Sequence, residues 1–290
     1  MQKLLKVALI QFAPKSYEVQ NNLDKALKLA HLALEQGARL IVLPELYDSA
    51  YCVEDQDEKF SLNLHQAHPN LDALQKLAKN YQAYIVACSI EKDTQLYDSA
   101  YIISHKGLLG VYRKIYLWGN EKERFARGDK YPIFELEFEN FKLKLGLQIC
   151  YEIGFSEGSR FLALQGAEII CFPSAFGKAR TYVWNLASRS RALENGVFVL
   201  AANRSGSEIS KINNETLTFA GKSKIINPKG EIIKEILEEE GFIIAELDLE
   251  EVQIQRKNLP YLKDLNLKLN QEILTNIHLN TKEQKWQKKF

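Results

Sequence analysis

Short runs of apolar, β-branched and aromatic residues alternate with longer stretches of helical periodicity through most of this chain, and no other feature narrows its fold as much. Residues 5–13 (LKVALIQFA) read as a strand, and residues 21–38 repeat apolar side chains at helical spacing before stopping at Gly37. A buried strand over 38–44, a helix over 70–82 and a strand over 83–90 follow. Two tight antiparallel pairs are expected over 97–114, turning at His105 to Gly107, and over 134–150, ending at Cys150. Then come a helix (158–167), a strand (168–174), a helix (181–196), a strand (197–205), a hairpin over 219–236 that turns at Pro228 to Gly230, and a final strand (241–249). This order predicts an α/β layered fold.

No Pro/Gly/Ser-rich linker interrupts the pattern, so a single domain over residues 1–257 is expected. Residues 258–290 form a Lys-rich helical extension with Leu262, Leu265, Leu269 and Ile273 on one face. It is expected to pack on its own domain or on a neighbouring subunit. Lys+Arg 38 against Asp+Glu 37 leaves a net charge of +1, which argues against nucleic acid as a partner. No stretch approaches the roughly 18 apolar residues of a membrane span, and the first residues read as strand rather than signal segment, so a cytoplasmic protein is expected. The four cysteines, Cys52, Cys88, Cys150 and Cys171, form no C-x-x-C pair. Five histidines (His31, His65, His68, His105, His278) show no close ligand spacing, so neither a disulfide framework nor a metal site is expected.

Three reactive side chains stand where apolar runs end: Glu45 after IVLP, Lys114 after LLGVYR and Cys150 after LKLGLQI. In layered α/β proteins the loops at strand ends gather functional groups around one crevice. The three types suit acyl transfer. A thiolate attacks an acyl carbon, with Lys114 or the start of the following helix favouring its charged form. Glu45 takes the thiol proton, passes it to departing ammonia and later activates water. Lys114 stabilises the oxyanion, with the Tyr151 N–H as a second donor. Taken singly, each has an ordinary explanation: a cysteine closing a strand is commonly a small hydrophobe, as Cys171 is expected to be, and Lys114 and Glu45 fit a solvated strand end and a turn.

Together with their surroundings, these residues resemble the nitrilase superfamily of carbon–nitrogen hydrolases, whose members carry a Glu-Lys-Cys triad in this order. The matching stretches are LPELYDSAY, YRKIYL, GLQICYEIGFSE, LALQGAEIICFPSAF, WNLASRSRALENGVFVLAANRSG and FAGKSKIINPKGE, spread over nearly the whole chain. The resemblance implies a four-layer α-β-β-α sandwich that needs no cofactor or metal. It also implies a homodimer or larger homo-oligomer paired through the helices after the nucleophile strand. A second family glutamate falls in NEKERFARGD, where Glu121 would position substrate and Lys114, with Glu123 close enough to compete. Tyr51, Trp118, Tyr151 and Phe176 are candidate substrate-positioning residues, with Tyr47 and Trp184 as further pocket candidates. Core packing is the better reading for Trp184, and Asn203 and Arg204 are expected to brace the site.

Three positions depart from the family pattern: Ser156 for a frequent proline, Tyr116 for a frequent histidine and Glu152 for a frequent aspartate. The implied reaction is hydrolysis of a small linear amide or N-carbamoyl (ureido) compound through a Cys150 thioester, releasing ammonia. Nitrile hydrolysis is the alternative, disfavoured because that branch typically has Trp where this chain has Tyr151. A catalytically silent binding protein would have lost a triad member. A papain-like hydrolase needs an activating histidine, and only His105, a turn residue, stands near a strand end.

Overall fold

The computed structural model describes residues 3–283, with side chains as far as residue 277. One six-stranded sheet consists of β1 (Leu4–Gln11), β2 (Leu40–Val42), β3 (Tyr84–Lys92), β4 (Leu96–Ser104), β5 (Gly107–Arg113) and β14 (Gly241–Asp248), in spatial order β14-β1-β2-β3-β4-β5. The other consists of β6 (Ile133–Phe138), β7 (Phe141–Leu147), β8 (Ile169–Ser174), β9 (Phe198–Asn203), β12 (Lys224–Ile226) and β13 (Ile232–Glu235), in order β13-β12-β9-β8-β7-β6. A small hairpin, β10 (Ser207–Ile209) with β11 (Thr216–Thr218), stands apart.

Alternation along the strands sets the layers, because successive side chains point to opposite faces. In β1, Val7 and Leu9 share a core cluster with Leu145, Leu147 and Cys171 of the other sheet. Their neighbours Ala8 and Ile10 pack with Ala26, Ala30 and Ala33 of α1 (Val19–Glu35) and Leu71 and Leu74 of α2 (Pro69–Tyr81). The alanines of α1 let that helix lie close on the sheet. On the outer face of the second sheet lie α4 (Ser156–Leu164) and α5 (Thr181–Asn195), and the one-turn α3 (Glu121–Arg124) falls between β5 and β6 in the chain. The result is the expected four-layer α-β-β-α sandwich.

Strand pairing explains why two ends of this sandwich differ. Strands β1, β2 and β3 run parallel, as do β7, β8 and β9, so each sheet opens its strand C-termini toward one end of the molecule. The hairpins β4–β5 and β6–β7 form where tight turns were expected. Two local readings change. The helix expected over 158–167 runs over Ser156–Leu164, and a 3-10 turn over Cys150–Gly154 stands between it and the nucleophile strand. The hairpin expected over 219–236 pairs only Lys224–Ile226 with Ile232–Glu235.

After α6 (Glu250–Asn258) and α7 (Tyr261–Asp264), α8 (Leu267–Glu283) starts beside α4. Phe161 and Leu164 of α4, Leu265, and Leu267 and Leu274 of α8 line a cavity of about 790 Å³ between them. Leu262 packs on the main core, whereas Leu269, Ile273 and Ile277 are exposed in the single chain. Among the described residues no helix is long and apolar enough to cross a membrane.

Candidate active site

Three strand ends deliver the three expected residues to one place. Glu45 lies three residues past β2, Lys114 directly follows β5, and Cys150 lies three residues past β7. Both short connections bend sharply. Leu46 (φ 49°), Ala50 (φ 67°) and Cys150 itself (φ 48°) adopt left-handed backbone, which non-glycine residues rarely do and which persists only where the surroundings enforce it.

Those surroundings are polar and buried. Asp48 fixes the Glu45 loop: its carboxylate accepts from Ser89 Oγ (3.0 Å) and Asn70 Nδ2 (3.1 Å), and its carbonyl from Asn22 Nδ2 (2.7 Å). Glu152 fixes the nucleophile turn. Its carboxylate accepts from the N–H groups of Ile149 (2.7 Å), Ile115 (2.9 Å) and Tyr116 (3.2 Å) and from Tyr112 Oη (2.7 Å), which straps the turn to the chain just past Lys114. Sequence reading gave Glu152 only as a departure, yet it is the tie between two of the three strands.

Lys114 sits at the centre, fully buried. Its Nζ donates to Glu45 Oε1 at 2.6 Å, Asp98 Oδ2 at 3.1 Å and Glu121 Oε1 at 3.0 Å, which uses all three ammonium protons. Glu45 spans both sheets, because its other oxygen accepts from Ala175 N at 2.6 Å, just past β8. Glu121 is buried while Glu123 is exposed, so the glutamate that reaches the cluster is Glu121. Its carboxylate also accepts from Tyr51 Oη (2.6 Å) and Trp118 N (2.7 Å). Asp98, the third residue of β4, was not anticipated. Carboxylate oxygens of Glu45, Asp98 and Glu121 lie within 4.8 Å of one another, an arrangement able to hold a cation, and the Lys114 ammonium occupies that position.

Charge balance follows from this geometry. Burial works against the Lys114 charge, but Glu121, Glu45 and Asp98 outweigh it and hold the ammonium form firmly. Burial pushes the Glu45 carboxyl well above the usual carboxylate range; Lys114 opposes, and the charges of Asp98 and Glu121 add to the rise. The Cys150 thiol is likewise pushed up by burial and then by the charge of Glu45, against the pull of Lys114. The expectation that Lys114 would hold a resting thiolate therefore changes: its charge is divided among three carboxylates, and Cys150 rests as a thiol.

One glycine is needed to bring these parts together. Gly128 N–H donates to the Lys114 carbonyl at 2.8 Å, and a Cβ there would stand 2.1 Å from the Arg113 carbonyl oxygen. Gly128→Ala is expected to lower stability by about 1–3 kcal/mol through backbone displacement and to slow turnover by moving Lys114. An unchanged denaturation midpoint would contradict this reading of the contact.

Cys150 opens onto a cavity of about 130 Å³ lined by Tyr51, Trp118, Glu121, Tyr151 and Phe176, the five residues expected to position substrate, together with Ala175, Gly177, Arg180 and Val183. Among the described residues no histidine lines it. Trp118 packs its ring 4.9 Å from that of Tyr151. Asn203 braces the opposite wall: Oδ1 accepts from Phe176 N (2.7 Å) and Nδ2 donates to Gly221 O (2.8 Å). Arg204 pairs with Glu208, whose carboxylate accepts from Tyr51 N and Cys52 N, so it braces the Tyr51 side. Trp184 is buried behind Phe176, 5.2 Å between ring centroids, with Nε1 donating to Lys222 O. Tyr47 lies elsewhere, in the core between α1, α2 and the first sheet, because left-handed Leu46 turns the chain away from the cavity.

Comparison with known proteins agrees with this architecture. Residues 6–257 match the family described as Carbon-nitrogen hydrolase. The chain is 39% identical over 264 residues to a nitrilase of Pyrococcus abyssi, spanning 88% of this chain and 94% of that protein. It is 31% identical over 296 residues to N-carbamoylputrescine amidase of Solanum lycopersicum, spanning 94% and 96%. Its fold superposes on the crystal structure of an amidase from Nesterenkonia sp. with a TM-score of 0.78 at 27% identity, over 92% of this chain and 95% of that one. The chain belongs to the carbon-nitrogen hydrolase family of the nitrilase superfamily, and is a hydrolase of carbon–nitrogen bonds other than peptide bonds.

Proposed function

We propose that the protein hydrolyses a small linear amide or N-carbamoyl compound through a covalent intermediate on Cys150, releasing ammonia. The observation that carries this reading is the Cys150 thiol facing a small cavity, with the charge of Glu45, itself held by Lys114, acting on it. As Sγ attacks the carbonyl carbon, the thiol proton passes to Glu45. The raised basicity of Glu45 makes it a stronger acceptor for that proton than an ordinary carboxylate. Lys114 turns a proton from its carboxylates toward the developing oxyanion, with the Tyr151 N–H as second donor. Glu45 then gives its proton to the amine as the carbon–nitrogen bond breaks, which leaves a thioester and ammonia. Water, deprotonated by Glu45, attacks the thioester and releases the acid, and the thiol is restored.

Ammonia release measured across ω-amides, N-carbamoyl amines and acids, and nitriles tests the reading. Turnover of amides or ureido compounds above nitriles is expected, and turnover of nitriles alone would favour the nitrile alternative, against which Tyr151 counts. The pH profile adds a check. A base whose pKa is raised by burial loses its ionised form as pH falls through that raised value, so the acid limb of kcat/KM should lie well above the ordinary carboxylate range. A limb near 4.5 would contradict the buried Glu45 as base.

The working unit in this proposal is a homo-oligomer joined through α4 and α5, whose Phe161, Tyr182 and Leu186 are exposed in the single chain. Sedimentation as a monomer would contradict it. The four free thiols suit a reducing, cytoplasmic setting.

A further inference from the structure

Arg180 ends the short 3-10 turn Lys178–Arg180 that joins β8 to α5, and it stands at the mouth of the Cys150 cavity. A second cavity, of about 300 Å³, adjoins the first: Tyr51, Trp118, Ala175, Gly177 and Arg180 line both, so one crevice runs from Cys150 past Arg180 to Lys178. The Arg180 guanidinium lies over the Trp118 ring, 4.4 Å from its centroid, which fixes its plane beside the crevice.

Its partners set it apart from other arginines around the site. Arg124 pairs with Asp57 and Arg204 with Glu208, whereas Arg180 makes no ion pair among the described residues. Lys178, on the same turn, meets Glu238 at 2.7 Å on the exposed side. Among the described residues the one carboxylate lining either cavity is Glu121, and it already accepts from Lys114, Tyr51 and Trp118. The crevice thus has aromatic walls, a saturated acid at its foot and an unpaired, pre-oriented guanidinium at its mouth. Such a fork matches a carboxylate.

We propose that Arg180 is a specificity-determining residue that binds a carboxylate at the far end of the substrate, so that the preferred substrates are short amides or N-carbamoyl compounds bearing an acid group. This rests on the amidase reading given above. It also sets a direction of discrimination. A substrate ending in an ammonium would bring like charge against Arg180, which selects against N-carbamoyl amines and ω-amino amides.

Two matched series test this. The amides are succinamate, butyramide and 3-aminopropanamide; the ureas are N-carbamoyl-β-alanine, propylurea and 2-aminoethylurea. Within the series the enzyme accepts, kcat/KM of the wild type should favour the acid over the neutral compound by at least about tenfold, with the ammonium compound lowest. Arg180→Gln should collapse the acid-to-neutral ratio toward one, chiefly through KM, and Arg180→Glu should invert the order in favour of the ammonium compound. A ratio unchanged in Arg180→Gln, or a wild type that prefers the ammonium compound or is indifferent, would overturn the proposal. If the wild type turned over neither series, the amidase reading would fall. The Arg180 proposal would then be judged by calorimetric binding of the same six compounds to the wild type and Arg180→Gln, where the same order and the same collapse are expected and equal binding would refute it.

Discussion

Lys114→Met is expected to cost both activity and stability, and the second loss distinguishes this site from one in which the lysine is a free catalytic group. The ammonium is fully buried among Glu45, Asp98 and Glu121. Removing one partner of a buried ionic cluster leaves uncompensated charge and typically costs about 3–5 kcal/mol. Turnover should fall by about a thousandfold or more through the lost oxyanion charge. Adding Asp98→Asn to Lys114→Met removes one of the stranded carboxylates, so the double variant should regain part of the stability and none of the activity. Chemical denaturation followed by circular dichroism, alongside an ammonia assay, reads both. A single variant as stable as the wild type would show that the three carboxylates do not depend on Lys114.

Cys150→Ala should do the opposite, removing turnover while sparing the fold. In the proposed mechanism the loss is of the nucleophile, for which a drop of about 10⁴-fold or more is expected. Only one sulfur leaves a site that is already open to a cavity, and alanine tolerates the left-handed φ of 48° no worse than cysteine, so stability should stay within about 1 kcal/mol. Measurable turnover by this variant, at a rate near the wild type, would exclude Cys150 as the attacking group.

What could be read from the sequence depended on whether a residue interrupts a pattern at its end or inside it. Glu45, Lys114 and Cys150 each stop an apolar run, and strand ends are where layered α/β folds place reactive groups, so their convergence follows from topology. Asp98 breaks a pattern too, but from within the strand YDSAYIIS, where a lone acid reads as an outward-facing residue; an acid in a strand whose remaining residues are buried is what the structure reveals. Glu152 is hidden because its partners are backbone N–H groups of Ile115, Tyr116 and Ile149, which no residue-type pattern records. Tyr47 illustrates the converse. It neighbours Glu45 in sequence, but a single left-handed residue, Leu46, sends its side chain to the other side of the sheet. Arg180 lies on a turn between β8 and α5 without periodicity, so only coordinates bring it to the Cys150 cavity.

The layer order was legible because β-sheet alternation and helix spacing leave distinct periods. Strand β2, though only three residues long, lies within the strand expected over 38–44. The strands β10 and β11 were not legible: each has three mostly exposed residues and is defined by pairing with the other rather than by its own composition.

The central claim is that a substrate acyl group is carried on Cys150 between attack and hydrolysis. Acid quenching of the protein during turnover of its best amide, followed by intact-mass measurement and peptide mapping, tests it most directly. The expected result is an added mass equal to the substrate less ammonia, confined to the peptide that holds Cys150 and missing from Cys150→Ala. An adduct on Cys52, Cys88 or Cys171 instead, or steady hydrolysis by a Cys150→Ala protein, would contradict the account.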